Sequence, residues 1–154
     1  MPAKKPIAHT QPVAAFWDAS AIIPLCCQQP QSAAARRAAR IYNTQIVWWG
    51  TSVETFSAIY RLTRDGGLTA KESLQALKAL ELLRKKLNEI LPAEEVRLAA
   101  ERLLRTHHLR AADALQLAAA LVWCGNYPRG YAFICADIRL SEAADKEGFN
   151  VIRC

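Results

Sequence analysis

The sequence has no uninterrupted apolar run long enough to cross a bilayer. Its most apolar early stretch, Val13 to Cys27, is broken by Asp18 and Pro24, which spoils both a membrane span and the core of a secretion signal. Paired cysteines are also missing. The five, Cys26, Cys27, Cys124, Cys135 and Cys154, are an odd number and no two have C-x-x-C spacing, so neither a disulfide framework nor a zinc ribbon is indicated. Reduced thiols in a soluble cytoplasmic protein are expected. There is no internal repeat and no low-complexity segment. Charged residues make up only 22% against 52% hydrophobic, far from the composition of a disordered chain.

The 154 residues match one domain on the rule of about 150 residues each. We expect a loose leader over residues 1–11, which carry Lys4, Lys5 and two prolines with no apolar period, followed by a single domain over residues 12–154. Lys and Arg number 20 against 14 Asp and Glu, a net charge of +6 that favours a polyanionic partner.

Apolar runs of strand length alternate with helical periodicity. Val13 to Trp17, Gln45 to Trp49, Glu89 to Leu91, Tyr131 to Ala136 and Asn150 to Ile152 read as strands. Between them, helices are expected from Ala21 after a Ser20 cap, over Gln31 to Tyr42, from Thr51 to the Gly66-Gly67 stop, and from Thr69 to about Asn88. Further helices follow over Ala93 to His107, from Asp113 through the apolar Ala114 to Trp123, and over Ser141 to Glu147. This alternation predicts an α/β fold with a mostly parallel sheet of about five strands.

In parallel sheets, ligands collect beyond the carboxyl ends of the strands, and four acids fall at such positions. Asp18 follows the first strand, Glu54 lies in the first turn after the second, Asp113 starts the buried helix and Asp137 follows the fourth strand. Two unit charges about 4 Å apart repel by roughly 4 kcal/mol at an effective dielectric of about 20, so converging carboxylates would bind protons or a cation. All-oxygen donors suit Mg²⁺ or Mn²⁺ rather than zinc. Each acid also has a structural explanation: Thr51 and Glu54 have the spacing of a capping box, Asp18 and Asp137 suit caps or turns, and Asp113 can cap or pair with Arg110.

Four stretches, FWDASAIIPL, TSVETFSAIYRL, LRAADALQLAAAL and ICADIRLSEAADKEGFNVI, together resemble the successive motifs of PIN-domain ribonucleases, especially VapC-type toxins of toxin–antitoxin pairs. The resemblance implies a PIN-like fold and a metal-dependent endoribonuclease that inhibits translation and is neutralised by an antitoxin. It implies that Asp18, Glu54, Asp113 and Asp137 bind one or two Mg²⁺ or Mn²⁺ ions, with Ser20 as an accompanying hydroxyl. The implied partners are an RNA substrate, tRNA or rRNA, a protein antitoxin and a second copy of the chain. Gln116 stands where many relatives have His, and Cys135 where they have Thr or Ser. The alternative is a non-catalytic PIN-like module that holds RNA or protein without cutting. A dehalogenase-type phosphatase would need D-x-D, but Ser20 stands two residues after Asp18, and a receiver domain would need a pair of acids there.

Two basic clusters, Arg36, Arg37 and Arg40, and Arg84, Lys85 and Lys86, are either phosphate contacts or solvated helix faces. Trp48 and Trp49 suit the sheet core or a dimer surface, and His107 and His108 have no assigned role. The helices from Val53 to Leu87 carry more apolar residues than one core stripe needs, which points to a groove for a partner.

Overall fold

A computed structural model describes residues 13–154; the expected leader over residues 1–11 lies outside them. Five strands, β1 (Ala14–Trp17), β2 (Thr44–Trp48), β3 (Asn88–Ile90), β4 (Ala132–Cys135) and β5 (Asn150–Arg153), form one sheet in the order β3-β2-β1-β4-β5. Every pairing is parallel. β1 is central, with Phe16 in register with Ile46 on one side and Phe133 on the other.

Among the described residues, seven helices cover the two faces: α1 (Ala19–Cys26), α2 (Ser32–Ile41), α3 (Thr51–Arg64), α4 (Ala70–Arg84), α5 (Glu94–Thr106), α6 (Ala111–Trp123) and α7 (Ile138–Glu147). The period-two geometry of a strand sends alternate side chains to opposite faces. Ala15, Trp17, Val47, Ala132 and Ile134 pack with buried residues of α1 to α4, whereas Phe16, Ile46, Trp48, Phe133 and Cys135 pack with those of α5 to α7. Strands buried on both faces read as continuous apolar runs, which is why AAFW and AFIC carry no polar alternation. α6 buries Ala114 and Leu117 through Leu121 against the sheet, as its all-round apolar sequence predicts.

The sequence expectations fail mainly at helix ends. Asp18, not Ser20, caps α1, accepting from the Ser20 amide, and helix begins at Ala19. The capping box is formed by Thr69 and Glu72 at the start of α4; Thr51 is already helical after Gly50, so Glu54 caps nothing. α4 ends at Arg84 instead of near Asn88, because Asn88 is needed in β3 opposite Ile46. α6 begins two residues before Asp113, and α7 begins at Ile138, capped by Asp137 and preceding the expected Ser141. Trp48 is buried in the sheet core while Trp49 is half exposed.

Phe133 stacks on Phe16 at 5.4 Å and meets Phe149 at 5.5 Å, joining β1, β4 and the lead into β5. Phe133→Ala should therefore cost about 3–5 kcal/mol in denaturant unfolding, whereas Leu98→Ala, on an exposed face of α5, should stay within about 0.5 kcal/mol.

Candidate metal and phosphodiester site

Because every strand runs the same way, each strand-to-helix junction opens at one edge of the sheet. The chain order reverses between β1 and β4, where a crevice is expected beyond the carboxyl ends. Asp18 and Asp137 stand on either side of it. Glu54 reaches the same edge from the first turn of α3, and Asp113 from the first turn of α6. All four acids and Ser20 line a single cavity of about 980 Å³.

Asp18 is 4% exposed and lies at the base of this cavity. Its Oδ2 accepts from the Ser20 amide at 3.0 Å and the Ser20 hydroxyl at 2.5 Å. Ser20 Oγ in turn accepts from the backbone amides of Ala136 at 2.9 Å and Asp137 at 3.2 Å. One donor and two acceptor positions exhaust a hydroxyl, so Ser20 positions Asp18 and has no capacity left to act as a nucleophile. The Cys135 thiol lies 3.6 Å from Ser20 Oγ and 3.7 Å from Asp18 Oδ2. Burial, then the Asp18 charge, pushes its pKa up to about 12, so it is a neutral thiol and not a thiolate ligand.

Glu54 is held from below. Gln116, fully buried, donates from Nε2 to Glu54 Oε1 at 3.0 Å and to Thr51 Oγ1 at 2.9 Å. An amide side chain satisfies this geometry without any charge. Asp137 Oδ1 accepts from the Leu140 amide at 2.8 Å as the cap of α7. Asp113 forms no ion pair with Arg110, although Arg110 and Arg139 both favour its charge.

Burial dominates the electrostatics. It raises Asp18 to about 6 and Glu54 to about 7, with the neighbouring acids adding to the rise and the Ser20 and Gln116 hydrogen bonds opposing it. Asp113 is raised as well, by desolvation and then by Asp137. No cation offsets the charge of Asp18 or Glu54. Among the described residues no three Asp, Glu, His or Cys side chains gather closely enough to form a ready-made metal cage. Mg²⁺ does not need one: it is usually held by one or two carboxylates, with waters and substrate phosphates completing its shell. An oxygen-only donor set around an open cavity fits that requirement.

Sequence reasoning missed the cations of this cavity. Arg61, Arg110 and Arg139 line it, together with His108. The basic clusters on α2 and at the end of α4 do not; they are exposed elsewhere. Arg61 was traceable, since it lies seven residues after Glu54 on the same helical stripe, but Arg110 and Arg139 become neighbours of Asp113 only in the fold. His107, given no role from sequence, lies 2.7 Å from Glu147, which also takes a bidentate pair from Arg102.

The fold and this cavity define an α/β protein with a carboxylate-lined site of the kind that holds a hard divalent cation. The sequence profile of the PIN domain matches residues 15–146, and the chain belongs to that family, whose members are generally metal-dependent nucleases. Among curated protein sequences none matches the chain. Among solved structures it is similar to a toxin–antitoxin complex from Klebsiella pneumoniae, with TM-score 0.60 and 14% identity over 80% of this chain and 87% of that one. It is also similar to a protein from Pyrobaculum aerophilum, with TM-score 0.62 and 18% identity over 91% of this chain and 90% of that one.

The raised acids make a stability prediction. A carboxyl raised by folding stabilises the protein below its unfolded pKa and loses that contribution as pH rises through its folded pKa. For Asp18 and Glu54 the contribution is present below about 3.8 and 4.5 and lost through about 6 and 7. Metal-free protein should thus melt lower at pH 8 than at pH 5.5. Asp18→Asn, which removes the buried charge, should raise the melting temperature at pH 8 in EDTA by roughly 6–12 °C in a calorimetric scan.

Proposed function

We infer that the protein is a Mg²⁺- or Mn²⁺-dependent endoribonuclease that acts as a toxin by cutting a tRNA or rRNA and is silenced by an antitoxin. The observation that carries this reading is the meeting of Asp18, Glu54, Asp113 and Asp137 in one cavity of a PIN-family chain. Asp18 and Glu54 would hold the cation from the floor, with Asp113 and Asp137 on the opposite wall. A divalent cation bound there supplies charge to the scissile phosphate and lowers the pKa of a water.

The chain's own groups do the rest. Ser20 keeps one Asp18 oxygen turned into the cavity, and Gln116 fixes the Glu54 rotamer, so the donors need little reorganisation when the cation arrives. Water attacks phosphorus and loses a proton, the bond from phosphorus to the 3′-oxygen breaks, and the departing 3′-oxygen takes up a proton. The products carry 5′-phosphate and 3′-hydroxyl ends.

The antitoxin reading rests on α3 and α4. Val53, Phe56, Tyr60 and Leu74 are exposed there, and Phe56 and Tyr60 form an aromatic pair at 6.0 Å. An apolar segment laid on this face can aim a Lys or Arg at the acids, supplying the counter-charge that the cation would otherwise give. A second copy of the chain is the rival occupant, distinguished by sedimentation of the isolated protein. No helix of the described residues is long and apolar enough to cross a membrane.

Cleavage of RNA by purified protein should stop in EDTA and return with Mg²⁺ or Mn²⁺, and Asp18→Asn should lower it by at least about 100-fold with circular dichroism unchanged. Cutting that survives both treatments would overturn the assignment, and a folded, RNA-binding protein that never cuts would favour the binding module. Because Asp18 and Glu54 are partly protonated at pH 6, Mg²⁺ binding should release protons there and almost none at pH 8.5, which calorimetry in buffers of different ionisation enthalpy will show. Phe56→Asp should weaken antitoxin binding about tenfold or more without unfolding the chain.

A further inference from the structure

Three arginines face the acid-lined cavity without pairing with its acids. Arg61 of α3, Arg110 at the N-cap of α6 and Arg139 in the first turn of α7 all line it. Among the described residues the ion pairs are Arg97 with Glu94, Arg102 with Glu147 and His107 with Glu147, so none of the three has a carboxylate partner. All three are exposed.

Their placement is two-sided. α3 belongs to the helical layer on one face of the sheet, and α6 and α7 to the layer on the other. Arg110 and Arg139 act on Asp113, whereas Arg61 stands two turns beyond Glu54, with Ser57 and Ala58 between them on the cavity side. An anionic floor is therefore flanked by cationic walls. A polyanion with regularly spaced charges matches such a pattern, because one charge can meet the cation on the floor while its neighbours meet guanidinium groups. Guanidinium forks suit phosphate oxygens in bidentate geometry.

We propose that Arg110 and Arg139 on one side and Arg61 on the other hold the phosphates flanking the scissile one, so that an unpaired RNA strand crosses the cavity from α7 to α3. This rests on the nuclease reading above. The strand must be unpaired because Asp18, 4% exposed, lies on a floor walled by helices from both layers. A rigid duplex cannot lower one phosphate to that depth, whereas a loop or single strand splays.

The test is the salt dependence of binding to a mixed-sequence unpaired RNA oligonucleotide, in an Asp18→Asn background that leaves the strand uncut. Each lost phosphate contact reduces the slope of log K against log salt by about 0.7 on a single strand. Arg61→Gln, Arg110→Gln and Arg139→Gln should each show that reduction and weaken binding several-fold. Arg139→Lys should restore the slope, because charge sets it, and Arg40→Gln on α2 should leave it unchanged. A hairpin of fully paired RNA should bind more weakly than the unpaired strand. If the parent binds RNA and all three glutamine variants keep its slope, the arginine assignment is wrong while the nuclease reading stands; a slope lost at Arg40 would move the strand to α2. If the parent binds no RNA, or binds a glutamate-rich peptide in its place, the nuclease reading falls and takes this path with it.

Discussion

The site depends on one hydroxyl. Ser20 Oγ donates to Asp18 and accepts from the amides of Ala136 and Asp137, which ties the end of β1 to the end of β4 across the point where the strand order reverses. Parallel strands diverge beyond their last ladder bond, and the two connections leave toward opposite faces. The Asp18 amide, donating to Ile134 O at 3.0 Å, and the Cys135 thiol, 3.7 Å from Asp18 Oδ2 and 3.4 Å from the Asp137 carbonyl, reinforce the same tie. The Ser20 bonds satisfy two amides that would otherwise end the sheet without partners, so the geometry of the acids and the closure of the backbone are one feature.

Around that tie the protein keeps charge where folding alone would remove it. Asp18 and Glu54 are raised by burial, and the hydrogen bonds from Ser20 and Gln116 offset only part of the cost. A stretch of chain optimised for stability would carry Asn and Gln at these positions. Four carboxylates nonetheless line one cavity at this sheet edge, a cost to stability of the kind that functional sites retain. The outer arginines do not neutralise them, since none comes within ion-pair distance.

The two helical layers divide the remaining tasks. The α5 to α7 layer, tightened by Arg102 and His107 on Glu147, buries α6 and so sets the depth of Gln116 beneath Glu54. The α1 to α4 layer leaves Val53, Phe56, Tyr60 and Leu74 uncovered. One layer gives the site a rigid floor, and the other presents a surface on which a partner could control it.

The alternation of apolar runs with helical periodicity was enough to give five strands and a parallel sheet, since strands buried on both faces must be continuously apolar. The four acids were legible because each follows a strand or lies in the first turn of a helix, and in a parallel sheet all such junctions share one edge. Helix ends were not legible: whether Asp18 or Ser20 caps α1, or whether Thr51 or Thr69 forms the capping box, depends on backbone angles that neighbouring elements impose. The arginine walls were hidden for a related reason, because Arg61, Arg110 and Arg139 are far apart in the chain and resemble any solvated cation in it. Local sequence determined which segments are strand or helix and where carboxylates stand on them, because those depend on periodicity and chain position. Only tertiary structure decided which charges share a cavity, since electrostatic neighbours there come from opposite faces of the sheet.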